Sequence, residues 1–225
     1  MDLSSVEPSS IKYILFDLDN TLYSASWGLE EAVNRRVNEY LARRFGLPPE
    51  EAWARRKERV LACGYGTTLE WLRAEEGMDD AETERFLAFI HPEDDAGPLS
   101  ADRRLRALLL SLAASFPLGI LTNASLEHAL RILRKLEVED LFPVIFDIRR
   151  NGLKGKPDRA VYRAILAELA LPAAACLLVD DVPRYIEGYR ALGGAGVHYD
   201  EEDKRPDFPG PRIRRLEELR ALIGG

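Results

Sequence analysis

The chain has 225 residues, a formal net charge of −7, and apolar and charged fractions of 46% and 31%. A chain of this size can form one large core, or a core with a smaller insert, and no apolar run approaches the roughly 20 residues of a membrane span. The acidic balance, with no basic tail, argues against a nucleic-acid polymer as partner, and two cysteines are too few for a disulfide framework or a cysteine zinc site.

Residues 1–10 are polar and lack the basic and apolar regions of a signal peptide, so a cytoplasmic, reducing location is expected. Tyr13–Phe16 is a short apolar run that reads as a buried strand. Residues 26–97 then show no convincing strand. Leu29, Val33, Val37, Tyr40, Leu41 and Phe45 make a helical stripe, and Pro48-Pro49-Glu50-Glu51 suits the first turn of a second helix. Two more helices are expected near Leu69–Glu76 and Ala81–Ile90, followed by a turn-rich return from His91-Pro92 to Pro98. Further strands are expected at Leu118–Leu121, Val144–Phe146 and Cys176–Val179, with a weaker one at Gly196–Tyr199. Ser125 can cap a helix carrying Leu126, Leu130, Leu133 and Leu136, and Asp158 one carrying Val161, Tyr162, Ile165 and Leu169. Asp200 to Arg212 reads as a charged surface loop before a last helix at Leu216–Ile223. The alternation predicts an α/β fold: a doubly wound parallel-sheet, Rossmann-like core formed by residues 1–25 and 98–225, with an all-helical cap at 26–97. Cys63 and Cys176 read as small buried residues, and His91, His128 and His198 show no metal-like spacing.

Ligands of open α/β sheets bind outside the carboxyl ends of the strands. The first strand ends in Asp17 and Asp19, the second in Thr122-Asn123 and the fourth in Asp180-Asp181, while Lys154 and Lys156-Pro157 follow the third. Two carboxylates two residues apart raise each other's pKa unless a cation neutralises them. Mg²⁺, which takes one or two carboxylates together with phosphate oxygens, is the expected answer. Acids, a hydroxyl, an amide and a lysine on one edge suit phosphoryl transfer.

In that order and spacing, Asp-x-Asp-x-Thr, a strand-final Thr, Lys-Pro and Asp-Asp resemble the four motifs of the haloacid dehalogenase superfamily, and specifically its phosphatases. Asn20-Thr21-Leu22-Tyr23 and Gly64-Tyr65-Gly66-Thr67-Thr68 are similar to its pyrimidine 5′-nucleotidase-like branch. The resemblance implies that Asp17 is the nucleophile and Asp19 the general acid and base, with the Asp19 backbone carbonyl binding Mg²⁺. Thr122 and the amide of Asn123 would hold phosphate, and Lys156, preferred to Lys154 for its Lys-Pro pairing, would neutralise charge. Asp181 and Asp180 would complete the metal site with Asp17 and Asp19. The cap loop, with Tyr65 and Thr67, would reach the substrate. Tyr185 departs from the family pattern, standing where relatives often carry Asn or Asp. The expected activity is Mg²⁺-dependent hydrolysis of a small phosphorylated metabolite, first a nucleoside 5′-monophosphate. The alternatives are a sugar-phosphate phosphatase or phosphomutase, or a phosphate-binding relative without turnover.

Overall fold

Residues 10–93 and 97–224 are described in the computed structural model. Six strands, β1 (Tyr13–Phe16), β2 (Leu118–Leu121), β3 (Val144–Phe146), β4 (Cys176–Asp180), β5 (Ala195–Tyr199) and β6 (Arg212–Ile213), form one sheet in the order β3-β2-β1-β4-β5-β6. Every pairing is parallel. Alternation along β1 sorts the core into two layers, because successive side chains leave opposite faces of a strand. Ile14 and Phe16 join a cluster with Leu118, Ile120, Leu177 and Val179. Tyr13 and Leu15 join the other, with Leu121, Phe146, Cys176 and Leu178.

Helices cover both layers. The first is covered by α5 (Arg103–Ala113) and α6 (Leu126–Lys135), the second by α7 (Arg159–Leu169) and α8 (Pro183–Arg190). Ser125 and Asp158 cap α6 and α7, each accepting a backbone amide of the first turn. The strand order reverses direction at β1, and Phe16 lies level with Ile120 on one side and Val179 on the other. The carboxyl ends of β1, β2 and β4 therefore stand side by side, where such sheets bind ligands.

The segment after β1 folds as α1 (Leu29–Phe45), α2 (Pro49–Lys57), α3 (Thr68–Glu75) and α4 (Asp80–Ile90). A π-helical turn, Glu58–Ala62, extends α2. These helices enclose an apolar cluster around Leu41, Trp71, Leu72 and Phe86, which Ile148 from beyond β3 joins. Full burial of side chains of this size stabilises by about 1.5–3 kcal/mol each, so the cluster both holds the helices together and ties them to the sheet. The part of the turn-rich return at 94–96 lies outside the described residues, as do residues 1–9 and 225.

Some expectations need correction. Helix α5 went unread, although Leu105, Leu108, Leu109 and Leu112 follow the helical period and Asp102 caps it. The charged stretch from Asp200 is no simple surface loop. Asp200 is buried, accepts the amides of Lys204 and Arg205 at 2.8 and 2.9 Å, and takes an Arg212 Nη1–H bond at 2.8 Å. That anchoring lets Arg212–Ile213 add a sixth strand. The last helix is a 3-10 turn, Leu216–Glu218, continued by the short α9 (Leu219–Leu222). Cys63 is exposed at the end of the π-helical turn, whereas Cys176 is buried.

Cap and core meet at several places, two of them beside the carboxyl ends of the strands. Arg149, beyond β3, donates to Glu84 on α4 at 2.6 Å and to Glu127 on α6 at 2.8 Å. The cap loop also lays Gly66 on the backbone of Gly155 and Lys156, so closely that a Cβ on Gly66 would overlap the Gly155 carbonyl. Gly66→Ala is thus expected to lift the cap loop from the lysine loop. Amide hydrogen exchange at Gly155 and Lys156 should speed up, with a melting temperature within a few degrees of the parent; unchanged exchange would show that the contact is dispensable.

Candidate active site

Lys156 organises the floor of the site. Its side chain is fully buried, and Nζ donates to Asp17 Oδ1 at 2.7 Å and to Asp180 Oδ2 at 2.6 Å. Burial works against the ammonium, but the two carboxylates outweigh it and raise its pKa. The other Asp180 oxygen accepts the Val182 amide at 2.8 Å. Lys154 stands apart, exposed and paired with Asp158 at 3.3 Å.

Asp17, Asp180 and Asp181 each offer an oxygen within 4.8 Å of the others. Burial raises the pKa of Asp17 and of Asp181, and neighbouring carboxylates, Asp180 foremost among them, add to the rise in both. One lysine against three acids leaves a formal surplus of negative charge in a largely buried site. An all-oxygen donor set with that surplus fits a hard divalent cation such as Mg²⁺.

Asp19 faces another way. After it the chain turns sharply through Asn20, at φ 58, a left-handed conformation that asparagine tolerates. Asp19 Oδ1 accepts from Tyr23 Oη at 2.6 Å and from His128 Nε2 at 2.7 Å. Burial acts to raise the Asp19 pKa, but His128, through charge and hydrogen bond, and then Tyr23 outweigh it and bring it down to about 2. His91 stacks on His128 with ring centroids 4.3 Å apart. Burial, helped by His128, holds the His91 pKa down at about 3, so its ring is neutral. The sequence reading gave neither histidine a role. Its available signal was the placement of His128 in the first turn of α6, which starts at the carboxyl end of β2.

Above the floor lies a cavity of about 280 Å³. Asp17, Asp19, Thr122, Asn123, Lys156 and Asp181 line it from the core, and Asn34, Arg56, Gly66 and Thr67 from the cap. Tyr65 is not among its lining residues; its hydroxyl donates to Glu75 at 2.9 Å. Thr67 Oγ1 accepts the Glu70 amide and caps α3. The Asn123 side chain ties the lysine loop, its Oδ1 accepting the Lys156 amide at 2.8 Å. Tyr185 Oη accepts from Asn123 Nδ2 at 3.3 Å and from Arg184 at 3.2 Å, while Lys156 Nζ sits 5.1 Å from the Tyr185 ring centre. The tyrosine thus supports the lysine loop through Asn123 and offers Lys156 a ring face.

A model of the haloacid dehalogenase-like hydrolases matches residues 11–193. The chain belongs to this family. Phosphatase MT3486 of Mycobacterium tuberculosis is 27% identical over 233 residues, covering 96% of this chain and 98% of that protein. A phosphoglycolate phosphatase of Rhodospirillum rubrum is 32% identical over 194 residues, 81% of this chain and 76% of its own length. The magnesium-bound structure of the hydrolase YfnB from Bacillus subtilis superposes with a TM-score of 0.63 at 20% identity, covering 95% of this chain and 98% of that one. This hydrolase therefore has the family's fold, and phosphatases are among its relatives.

The His128 contact predicts a titration. Without its largest lowering influence, Asp19 retains the upward push of burial. In metal-free protein the Asp19 carboxyl-carbon NMR signal is expected to titrate near pH 2 in the parent and at distinctly higher pH in His128→Gln. An unmoved midpoint would contradict the assigned cause.

Proposed function

We propose that the protein is a Mg²⁺-dependent phosphomonoesterase that forms an aspartyl-phosphate on Asp17. The observation that carries this reading is the Asp17–Lys156–Asp180 arrangement beside a third carboxylate, open to a cavity of small-metabolite size. Lys156 fixes Asp17 by one oxygen, leaving the other for attack on phosphorus in line with the leaving oxygen. Thr122 and the Asn123 amide receive the phosphate oxygens. Bound among Asp17, Asp181, Asp180 and the Asp19 carbonyl, Mg²⁺ would supply charge neutralisation to the phosphoryl group. Asp19, ionised at rest, relays the proton of a monoanionic ester to the departing oxygen, then takes one from the water that hydrolyses the intermediate. The bonds from Tyr23 and His128 favour its ionised form, which the second step needs. The cap excludes bulk water during transfer.

A small phosphorylated metabolite is the partner. The first-turn motif Asn20-Thr21-Leu22-Tyr23 and the Gly64–Thr68 loop favour a nucleoside 5′-monophosphate. The name of the 32% identical relative favours a second reading, a short phosphorylated acid. A phosphate-release screen over nucleotides, sugar phosphates and short phosphorylated acids separates the two, with and without Mg²⁺. Release is expected only with the divalent cation, and Asp17→Asn should lower it by about three orders of magnitude or more while leaving the fold intact. Normal turnover by that variant would refute the nucleophile assignment.

A further inference from the structure

The roof of the cavity holds a cation that the chemistry above does not use. Arg56, near the end of α2, lines the cavity in company with Val33, Val37, Val60 and Leu69. Its hydrogen bonds all go to uncharged oxygens: Nε to Thr68 Oγ1 at 2.9 Å, Nη2 to Asn34 Oδ1 at 2.8 Å and Nη1 to Asn38 Oδ1 at 3.4 Å. Trp53 lies against the guanidinium, 5.6 Å from ring centre to Cζ. A guanidinium has five N–H donors, so the fork is held rigidly by neutral groups and keeps donors to spare.

Among the described residues no carboxylate hydrogen-bonds Arg56. Glu30 exerts the largest favourable field on Arg56, but its carboxylate is bonded to the Asn20 side-chain amide and not to the guanidinium. Burial lowers the Arg56 pKa to about 10, which still leaves it charged at neutral pH. Of the other cations lining the cavity, Lys156 is committed to two carboxylates, while Arg184 donates to Tyr185 Oη and lies over its ring on the core side. Arginine presents a planar fork suited to carboxylate or phosphate.

Resting on the phosphatase reading of the same site, and on its phosphorylated-acid branch rather than the nucleotide one, we infer that Arg56 forms an anion subsite in the cap. It selects phosphomonoesters whose leaving group carries a second negative group, a carboxylate or a further phosphate. The transferred phosphate is received on the floor by Thr122 and the Asn123 amide. The far end of the leaving group then meets a roof where Arg56 stands with Asn34, Glu30 and the apolar Val33, Val37, Val60 and Leu69, and the spare guanidinium donors reward an anion there. A charge-assisted hydrogen bond formed there adds roughly ten- to hundredfold in kcat/KM.

The test compares phosphate esters of hydroxy acids of increasing chain length with the matching primary amides. At one or more lengths the parent enzyme should favour the acid about tenfold or more. Asn34→Asp sets a carboxylate against the arginine and reinforces its role as a strut while cancelling its charge. It should cost the acids about tenfold more than the amides. Arg56→Gln should likewise level acid and amide. Equal rates for acid and amide at every length in the parent, a preference that survives both variants, or equal losses on acids and amides would overturn the subsite. Hydrolysis of neither series, nor of p-nitrophenyl phosphate, would instead overturn the phosphatase reading beneath it.

Discussion

The buried ammonium of Lys156, shared between Asp17 and Asp180, is the interaction on which the rest of the site depends. Removing one partner from a buried ion pair costs about 3–5 kcal/mol, because the other charge is left uncompensated. Here three chain segments are committed at once: the end of β1, the end of β4 and the loop beyond β3. The parallel sheet supplies the geometry. Its central strands end level with one another, so two acids far apart in sequence meet one lysine without distortion of the strands.

The lysine cannot balance everything near it. Asp181 brings a third carboxylate into the same buried space, and that residual negative charge makes the site receptive to a divalent cation and, through it, to an anionic ester. Asp19 is kept out of this cluster by Tyr23 and His128. Two carboxylates two residues apart are thereby given different surroundings, one beside an ammonium and one beside a phenol and an imidazole. Unequal environments suit unequal roles, nucleophile and proton carrier.

The cap reaches the site through tertiary contacts. Gly66 rests on the lysine loop, Arg149 bridges α4 to α6, and Arg56 brings positive charge to the roof. The parts of this arrangement carried by local sequence were legible before the structure. The runs Tyr13–Phe16, Leu118–Leu121, Val144–Phe146 and Cys176–Val179 are short and apolar, and the residues that follow them fall at the ligand edge of the sheet, so Asp17, Thr122 and the Asp180-Asp181 pair could be placed by position. The choice of Lys156 over Lys154 rests on the family resemblance. What could not be read arises from tertiary approach. His128 is 109 residues from Asp19, and in sequence it looks like any histidine on a helix. Arg56 sits in the run Arg55-Arg56-Lys57, where nothing local says which cation turns inward. Tyr65 shows the converse, an aromatic in a glycine loop whose hydroxyl is taken by Glu75 on its own cap helix. Asp200 misled for a similar reason: its charged neighbourhood suggests solvent, but it organises the loop that leads to β6.

The central claim is that Lys156 presents Asp17 to phosphorus as a nucleophile. Rapid acid quenching of the enzyme during turnover, followed by peptide mass spectrometry, tests it most directly. The account predicts that the peptide containing Asp17 gains the mass of one phosphoryl group, and that this adduct forms and decays fast enough to account for phosphate release. Phosphate release with no adduct on that peptide, or an adduct on another residue, would contradict it.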